Sequence, residues 1–212
     1  MRSVRLLPSA FLFALLLSGA AHSGQSECRD SLRLGDSTYA IPEFWCARWI
    51  DSSRWADPVE LAKVPDRYAY KDYRIYLLKE ARDAFVRMAD AAAADSIDLI
   101  IDSGFRSPDF QRKLIKRRLE KGEPFARIVR HVAPPGFSEH HTGRAFDLMP
   151  SEAAFAFTPA YAWLKEHAAT YGFRESYSKD EPDALWWESW HWYYAGMPAG
   201  KNGDQSLLGR GD

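Results

Sequence analysis

Several things are scarce in this chain of 212 residues. There is no charge excess, with 28 basic residues against 29 acidic ones. A protein whose main task is coating nucleic acid carries a strong basic surplus, so that class is excluded. Long apolar runs are missing beyond the first twenty residues, which leaves no other candidate for a membrane span. Cysteine is limited to Cys28 and Cys46, too few for a disulfide-dense scaffold. No internal repeat is visible, which argues against a solenoid or propeller. What the chain does have is apolar content of 46%, of which aromatics make up a large part at 14%. That is enough for a packed core and excludes a wholly disordered chain.

The N-terminus has the pattern of an export signal. Arg2 and Arg5 precede an apolar run from Phe11 to Leu17, followed by the small residues Ser18, Gly19, Ala20 and Ala21. The run is shorter than the roughly 20 residues that span a bilayer, so cleavage after Ala21 or Ser23 is expected rather than membrane anchoring. Cys28 follows Gln25, Ser26 and Glu27, which is not a lipidation context. Removing residues 1–23 takes away two arginines and no acid, shifting the net charge from −1 to −3. Work outside the cytoplasm, in a periplasm or cell envelope, also changes the reading of the cysteines. An oxidising compartment favours a Cys28–Cys46 disulfide, and their separation does not resemble a zinc knuckle.

Residues 24–70 hold Pro42, Pro58 and Pro65 with Trp45, Trp49 and Trp55; this segment is read as an irregular cap on the main domain, which spans 71–195. Leu78, Ala81, Phe85, Met88 and Ala92 recur at helical spacing. Ile97–Asp102 is read as a short strand covered on both faces. Ser107-Pro108 and Thr158-Pro159 each pair an N-cap residue with proline at the first helical position. The helices they open are expected to stop at Gly122 and Gly172. Further strands are placed at Ala145–Leu148 and across Leu185–Tyr194, and the tail 196–212 is expected to be loose. The fold class is α+β, with a small, mainly antiparallel sheet flanked by helices.

Three clusters of chemistry-bearing residues lie at strand ends or in adjoining loops. His140, Asp147 and His191 offer two imidazoles and a carboxylate, a set suited to a zinc ion with an open position. His141 competes with His140, and spacing does not choose between them. Glu188, three residues before His191, suits a general base beside such an ion. Arg106 is a fixed cation able to meet a carboxylate or an oxyanion. Trp190, between Glu188 and His191, is expected to wall the site and limit water. Gly143 and Ala145 suit a tight turn from His140 to Asp147. Arg112, Lys113, Lys116, Arg117, Arg118 and Lys121 make the second helix basic, which reads first as a solvated face. Steering toward an anionic envelope polymer is the functional alternative.

The order of the pieces is more telling than any one of them. SGFRSPDFQ (Ser103–Gln111), SEHHTGRAFD (Ser138–Asp147) and ESWHW (Glu188–Trp192) together resemble the family of zinc D-alanyl-D-alanine carboxypeptidases of VanY type, over roughly residues 70–195. The resemblance implies a Hedgehog/DD-peptidase-like fold and one zinc ion held by His140, Asp147 and His191, which selects His140 over His141. It also implies Glu188 as catalytic base, with Arg106 assisting substrate binding or the transition state. Ser138 falls near the substrate's terminal carboxylate and Gln111 near the substrate. The implied substrates are peptidoglycan stem peptides, with removal of the terminal D-Ala. L,D-carboxypeptidase or endopeptidase action within the same family, and a non-catalytic wall-binding metal domain, are the competing expectations.

Overall fold

The computed structural model describes residues 31–179 and 187–197. The export segment, Cys28, residues 180–186 (with Trp186) and the tail from 198 lie outside the described residues.

The N-terminal segment is more regular than its proline and tryptophan content suggests. Ser31–Leu34 (β1) and Ser37–Ala40 (β2) pair antiparallel across the turn Gly35-Asp36. Gly35 sits at a φ of 61°, which glycine adopts without strain and most residues do not. A glycine-aspartate pair between short β-prone runs is a hairpin signal, which the reading of this segment as irregular did not use. Short 3-10 turns at Glu43–Arg48, Ser52–Arg54 and Pro58–Glu60 follow. Leu61–Lys63 (β3) then pairs antiparallel with Tyr76–Leu78 (β4).

The first long helix, Lys79–Ala94 (α1), buries Ala81, Ala84, Phe85, Met88, Ala89 and Ala92, the stripe expected from their spacing. Next come Ile101–Ser103 (β5) and Pro108–Glu120 (α2). The Ser107 hydroxyl caps α2 by accepting the Phe110 N–H at 3.1 Å. Phe125–Ile128 (α3), a short helix absent from the sequence reading, precedes Ala145–Leu148 (β6). Pro159–His167 (α4) is capped by Thr158 and tightens into a 3-10 turn, Ala168–Tyr171, which ends at Gly172 as expected. Phe173–Glu175 (β7), three residues without visible alternation, was also not anticipated. The last strand is His191–Tyr194 (β8).

The main sheet has the order β5-β6-β8-β7 and every pair is antiparallel. Two strand expectations need correction. Ile97–Asp102 shortens to β5 at the sheet edge, where Leu99 and Ile101 are buried but Ile100 is only half-buried. An edge strand with one face on the core does not need cover on both. Within the expected Leu185–Tyr194 strand, residues 189–190 form a turn, and the His191 N–H donates to the Glu188 carbonyl at 2.9 Å.

Strand alternation decides which side chains meet the core. Phe146, Leu148, Trp192 and Tyr194 point to the core that Phe85, Met88, Leu164 and Phe173 complete. Asp147 and His191 therefore face the other way. Each fully buried aliphatic or aromatic side chain in this core contributes roughly 1.5–3 kcal/mol. A second cluster joins Leu32, Ile41 and Trp45 of the N-terminal segment to Ile115, Ile128 and Phe137. The segment is thus packed onto α2 and α3, beside the face that carries Asp147 and His191.

Candidate metal centre and active site

In the β6–β8 register Asp147 lies directly opposite His191. His140 reaches them from the 3-10 turn Glu139–Thr142, which Gly143 terminates at a φ of 65°. A Cβ on Gly143 would come within 3.0 Å of the Leu78 backbone nitrogen and of Leu61, so the turn requires glycine twice over. The ligating atoms of His140, Asp147 and His191 all lie within 4.8 Å of one another, and all three residues are buried.

Their hydrogen bonds fix where the lone pairs point. His140 Nδ1 lies 2.6 Å from the Gly104 carbonyl oxygen, an acceptor, so this nitrogen carries the proton. His140 Nε2 is then a bare lone pair. It is buried without a hydrogen-bond partner, although an Asp147 oxygen lies 3.2 Å away. Burial, reinforced by the Arg106 charge, pulls the His140 pKa down to about 4, so the ring is neutral at pH 7. His191 donates Nε2–H to Glu139 at 3.0 Å and turns Nδ1 toward Asp147 at 2.9 Å. Burial would lower its pKa, but hydrogen bonds to Asp147 and Glu139 and their charges outweigh this and raise it to about 10. Without a metal, the His191 proton is the positive charge that holds these acceptors together. Asp147 is likewise driven well below the carboxylate range: burial would raise it, and the protonated His191 and the Arg106 guanidinium overcome that.

An orphaned buried imidazole nitrogen, a second imidazole fixed through its far nitrogen, and a carboxylate between them fit a zinc ion. The same bonds separate the adjacent histidines. His141 donates Nδ1–H to the Arg106 carbonyl at 2.6 Å and accepts the Gly136 N–H on Nε2 at 3.1 Å. Both of its nitrogens are in use, and it braces the loop.

Glu188 borders the same small cavity, of about 40 Å³. Burial is the main reason its pKa rises to about 7, with the Asp147 and Glu139 charges adding to it. Arg106 also lines the cavity, its guanidinium donating to Asp147 at 3.2 Å while its Nε stays buried and unpartnered. Gln111 is 1% exposed; its Nε2 donates to the Ala133 carbonyl at 2.9 Å, and its Oε1 has no partner. Ser138, 2% exposed, lines the cavity and leaves its turn uncapped. Trp190 is the exception: it does not line the cavity, but packs against the main core. Its carbonyl accepts the Leu148 N–H, which ties this part of the chain to β6. The walls are supplied instead by Tyr177, whose ring stands 4.9 Å from that of His191, and by Trp45.

Glu139 and Tyr177 were missed in the sequence. Glu139 lies inside a recognised motif, but its role rests on a partner 52 residues away, and nothing marks Tyr177. A much larger surface depression, about 1040 Å³ beside Trp55, Leu61 and Tyr193, contains none of the groups just described. The chemistry lies with the small cavity, where the buried titratable groups converge.

Comparison with known proteins names this arrangement. A family model described as "VanY: D-alanyl-D-alanine carboxypeptidase" matches residues 74–197. The chain belongs to the VanY family. The matched region contains the three candidate ligands, Glu188, Arg106, Ser138, Gln111 and Glu139; Trp45 lies outside it. A D-alanyl-D-alanine carboxypeptidase of Enterococcus faecium is 32% identical over 149 residues, covering 68% of this chain and 46% of that protein. The chain spans about half the length of the curated relatives it matches. The structure of the LdcB LD-carboxypeptidase superposes with a TM-score of 0.62 at 31% identity, covering 71% of this chain and 74% of that one. A mutant of the vancomycin-resistance D,D-pentapeptidase VanY, in complex with Zn(II), gives a TM-score of 0.50 at 26% identity, covering 64% and 84%. The antiparallel sheet with its flanking helices is thus the α+β fold of VanY and LdcB peptidases.

Proposed function

We propose that this chain is a zinc-dependent carboxypeptidase that removes the terminal D-alanine from peptidoglycan stem peptides. The observation that carries the reading is the lone-pair geometry of His140, Asp147 and His191 beside the half-buried carboxyl of Glu188. His140 through Nε2, His191 through Nδ1 and an Asp147 oxygen would hold the ion. A zinc ion bound there supplies a water of lowered pKa, about 7, and a Lewis acid for the carbonyl oxygen.

The remaining work belongs to the chain. Glu188, near pKa 7, takes a proton from the attacking water and returns it to the leaving amine. Arg106 presents a half-buried cation beside the reacting carbonyl, where negative charge develops. Gln111 Oε1, fixed by the bond to Ala133, accepts a substrate N–H. The enclosed cavity limits competing water.

The VanY family description and the E. faecium relative support D,D-cleavage. The higher TM-score to LdcB favours a second reading, L,D-cleavage of a tetrapeptide stem. Mass spectrometry of products from defined pentapeptide and tetrapeptide stems, with and without chelator, separates them. Loss of one D-alanine from the pentapeptide alone supports the first reading, and loss from the tetrapeptide alone the second. Chelator-insensitive cleavage, or none of either substrate, removes both. The export pattern of residues 1–23 supports action in the cell envelope, where Cys28 and Cys46 would be bridged.

A further inference from the structure

The cavity beside the candidate metal ligands is closed in part by a residue from outside the family domain. Trp45 belongs to the turn Glu43–Arg48, and the VanY match begins only at residue 74. Trp45 nonetheless lines the cavity that Glu188, His140 and His191 border. It is only 3% exposed, and its Nε1–H donates to the Val129 carbonyl at 2.9 Å, across 84 residues of sequence. Its ring stands 6.2 Å from that of Phe137, and it shares a core with Leu32, Ile115 and Ile128. Held this way, the indole is a fixed wall; close-packed interiors yield little to an oversized group.

The cavity is small. A water needs roughly 10–15 Å³, so about 40 Å³ admits a few atoms and no large side chain. Arg106 and Arg130 line it, and Arg130 has no ion-pair partner among the described residues, so an anionic chain end is the complementary occupant. Arg106 also borders a broader, open groove of about 580 Å³, with the exposed rings of Tyr73, Tyr76 and Phe110 along it. A narrow cavity and an open groove that meet at one arginine divide a substrate unequally: the groove takes the continuing chain and the cavity takes its terminus.

We propose that Trp45 is a specificity-determining residue, limiting the segment beyond the cleaved bond to one small residue with a free carboxylate. The N-terminal segment thereby makes the site a carboxypeptidase for terminal alanine and bars longer or bulkier ends. This rests on the carboxypeptidase reading above and adds to it the size limit and the residue that sets it.

The test compares kcat/KM for stem peptides ending in D-alanine with those ending in D-leucine, and with stems extended by a further residue. Wild type, Trp45→Phe and Trp45→Ala are measured, with folding checked by circular dichroism. One methylene in an apolar pocket changes selectivity by roughly 10–200-fold. The ratio of D-leucine to D-alanine cleavage is therefore expected to rise about tenfold or more in Trp45→Phe, and further in Trp45→Ala. If Trp45→Ala fails to fold, Trp45→Phe decides. An unchanged ratio in a folded variant overturns the proposal while leaving the carboxypeptidase reading in place. If the wild-type protein cleaves no terminal residue, both fall together, and that is seen before any variant is compared.

Discussion

Glu139 offers a quantitative test of how the candidate ligands are held. Its carboxylate accepts the His191 Nε2–H at 3.0 Å and is otherwise engaged by Arg174 at 3.1 Å. Buried among these charges it stays ionised, with a pKa of about 2: burial would raise it, and His191 leads the groups that lower it. Glu139→Gln keeps the shape and an acceptor but removes the charge; Glu139→Ala removes both. A hydrogen bond to a charged group contributes about 1.5–3 kcal/mol, which converts to roughly 10–100-fold in an equilibrium constant. Loss of an outer partner of a metal-bound histidine costs a similar factor, about 10–100-fold. Zinc affinity, read by competition with a chromophoric chelator, should therefore fall about tenfold in Glu139→Gln and nearer a hundredfold in Glu139→Ala. Arg174→Ala serves as the control. Its side chain is 50% exposed, and an exposed pair is worth only about 0.2–1 kcal/mol, so affinity should change less than about fivefold. A folded Glu139→Ala protein that binds zinc within twofold of wild type would refute the argument that Glu139 positions His191.

Two further outcomes follow from the same chemistry. His191, with a pKa of about 10 in the metal-free protein, must give up a proton to offer Nδ1. Between the His140 value, about 4, and about pH 7, where the zinc-bound water begins to ionise as well, zinc affinity should therefore rise roughly tenfold per pH unit. Calorimetry at about pH 8.5, above the Glu188 value of about 7, in buffers of different ionisation enthalpy should find close to two protons released per zinc, one from His191 and one from the zinc-bound water of pKa about 7; release of no more than one would exclude His191 Nδ1 as a ligand. Thiol titration of the mature, unreduced protein should find no free cysteine, and reduction should cost about 3 kcal/mol of stability, as for a closed loop of about 15 residues. Two free thiols would remove the Cys28–Cys46 bridge.

Much of this was legible in the sequence because the relevant signals are local. Ser107-Pro108 and Thr158-Pro159 announce two helices through cap chemistry contained in four residues. The stripe of Ala81, Phe85, Met88 and Ala92 announces α1 in the same way. The candidate ligands were legible because three spaced motifs carry them. What escaped depends on partners distant in sequence. The resemblance had already selected His140 over His141, but the physical ground lies in which backbone groups each ring meets: Gly104 for one, Arg106 and Gly136 for the other. Trp190 sits between Glu188 and His191 in the chain, but faces the core. The wall expected of it comes from Tyr177 and Trp45, which no spacing connects to the motifs. The basic helix α2 is partly paired, with Arg118 on Glu123 and Arg112 on the Arg33 carbonyl, as on an ordinary solvated surface.

On the proposed mechanism, a metal held by His140, Asp147 and His191 and the carboxyl of Glu188 act together on a terminal peptide bond. The most direct measurement reads bound zinc and released D-alanine on the same samples of wild type and Glu188→Gln. Stoichiometric zinc is expected in both proteins, with release in the variant lower by about two to four orders of magnitude. Undiminished release from zinc-loaded Glu188→Gln would contradict it.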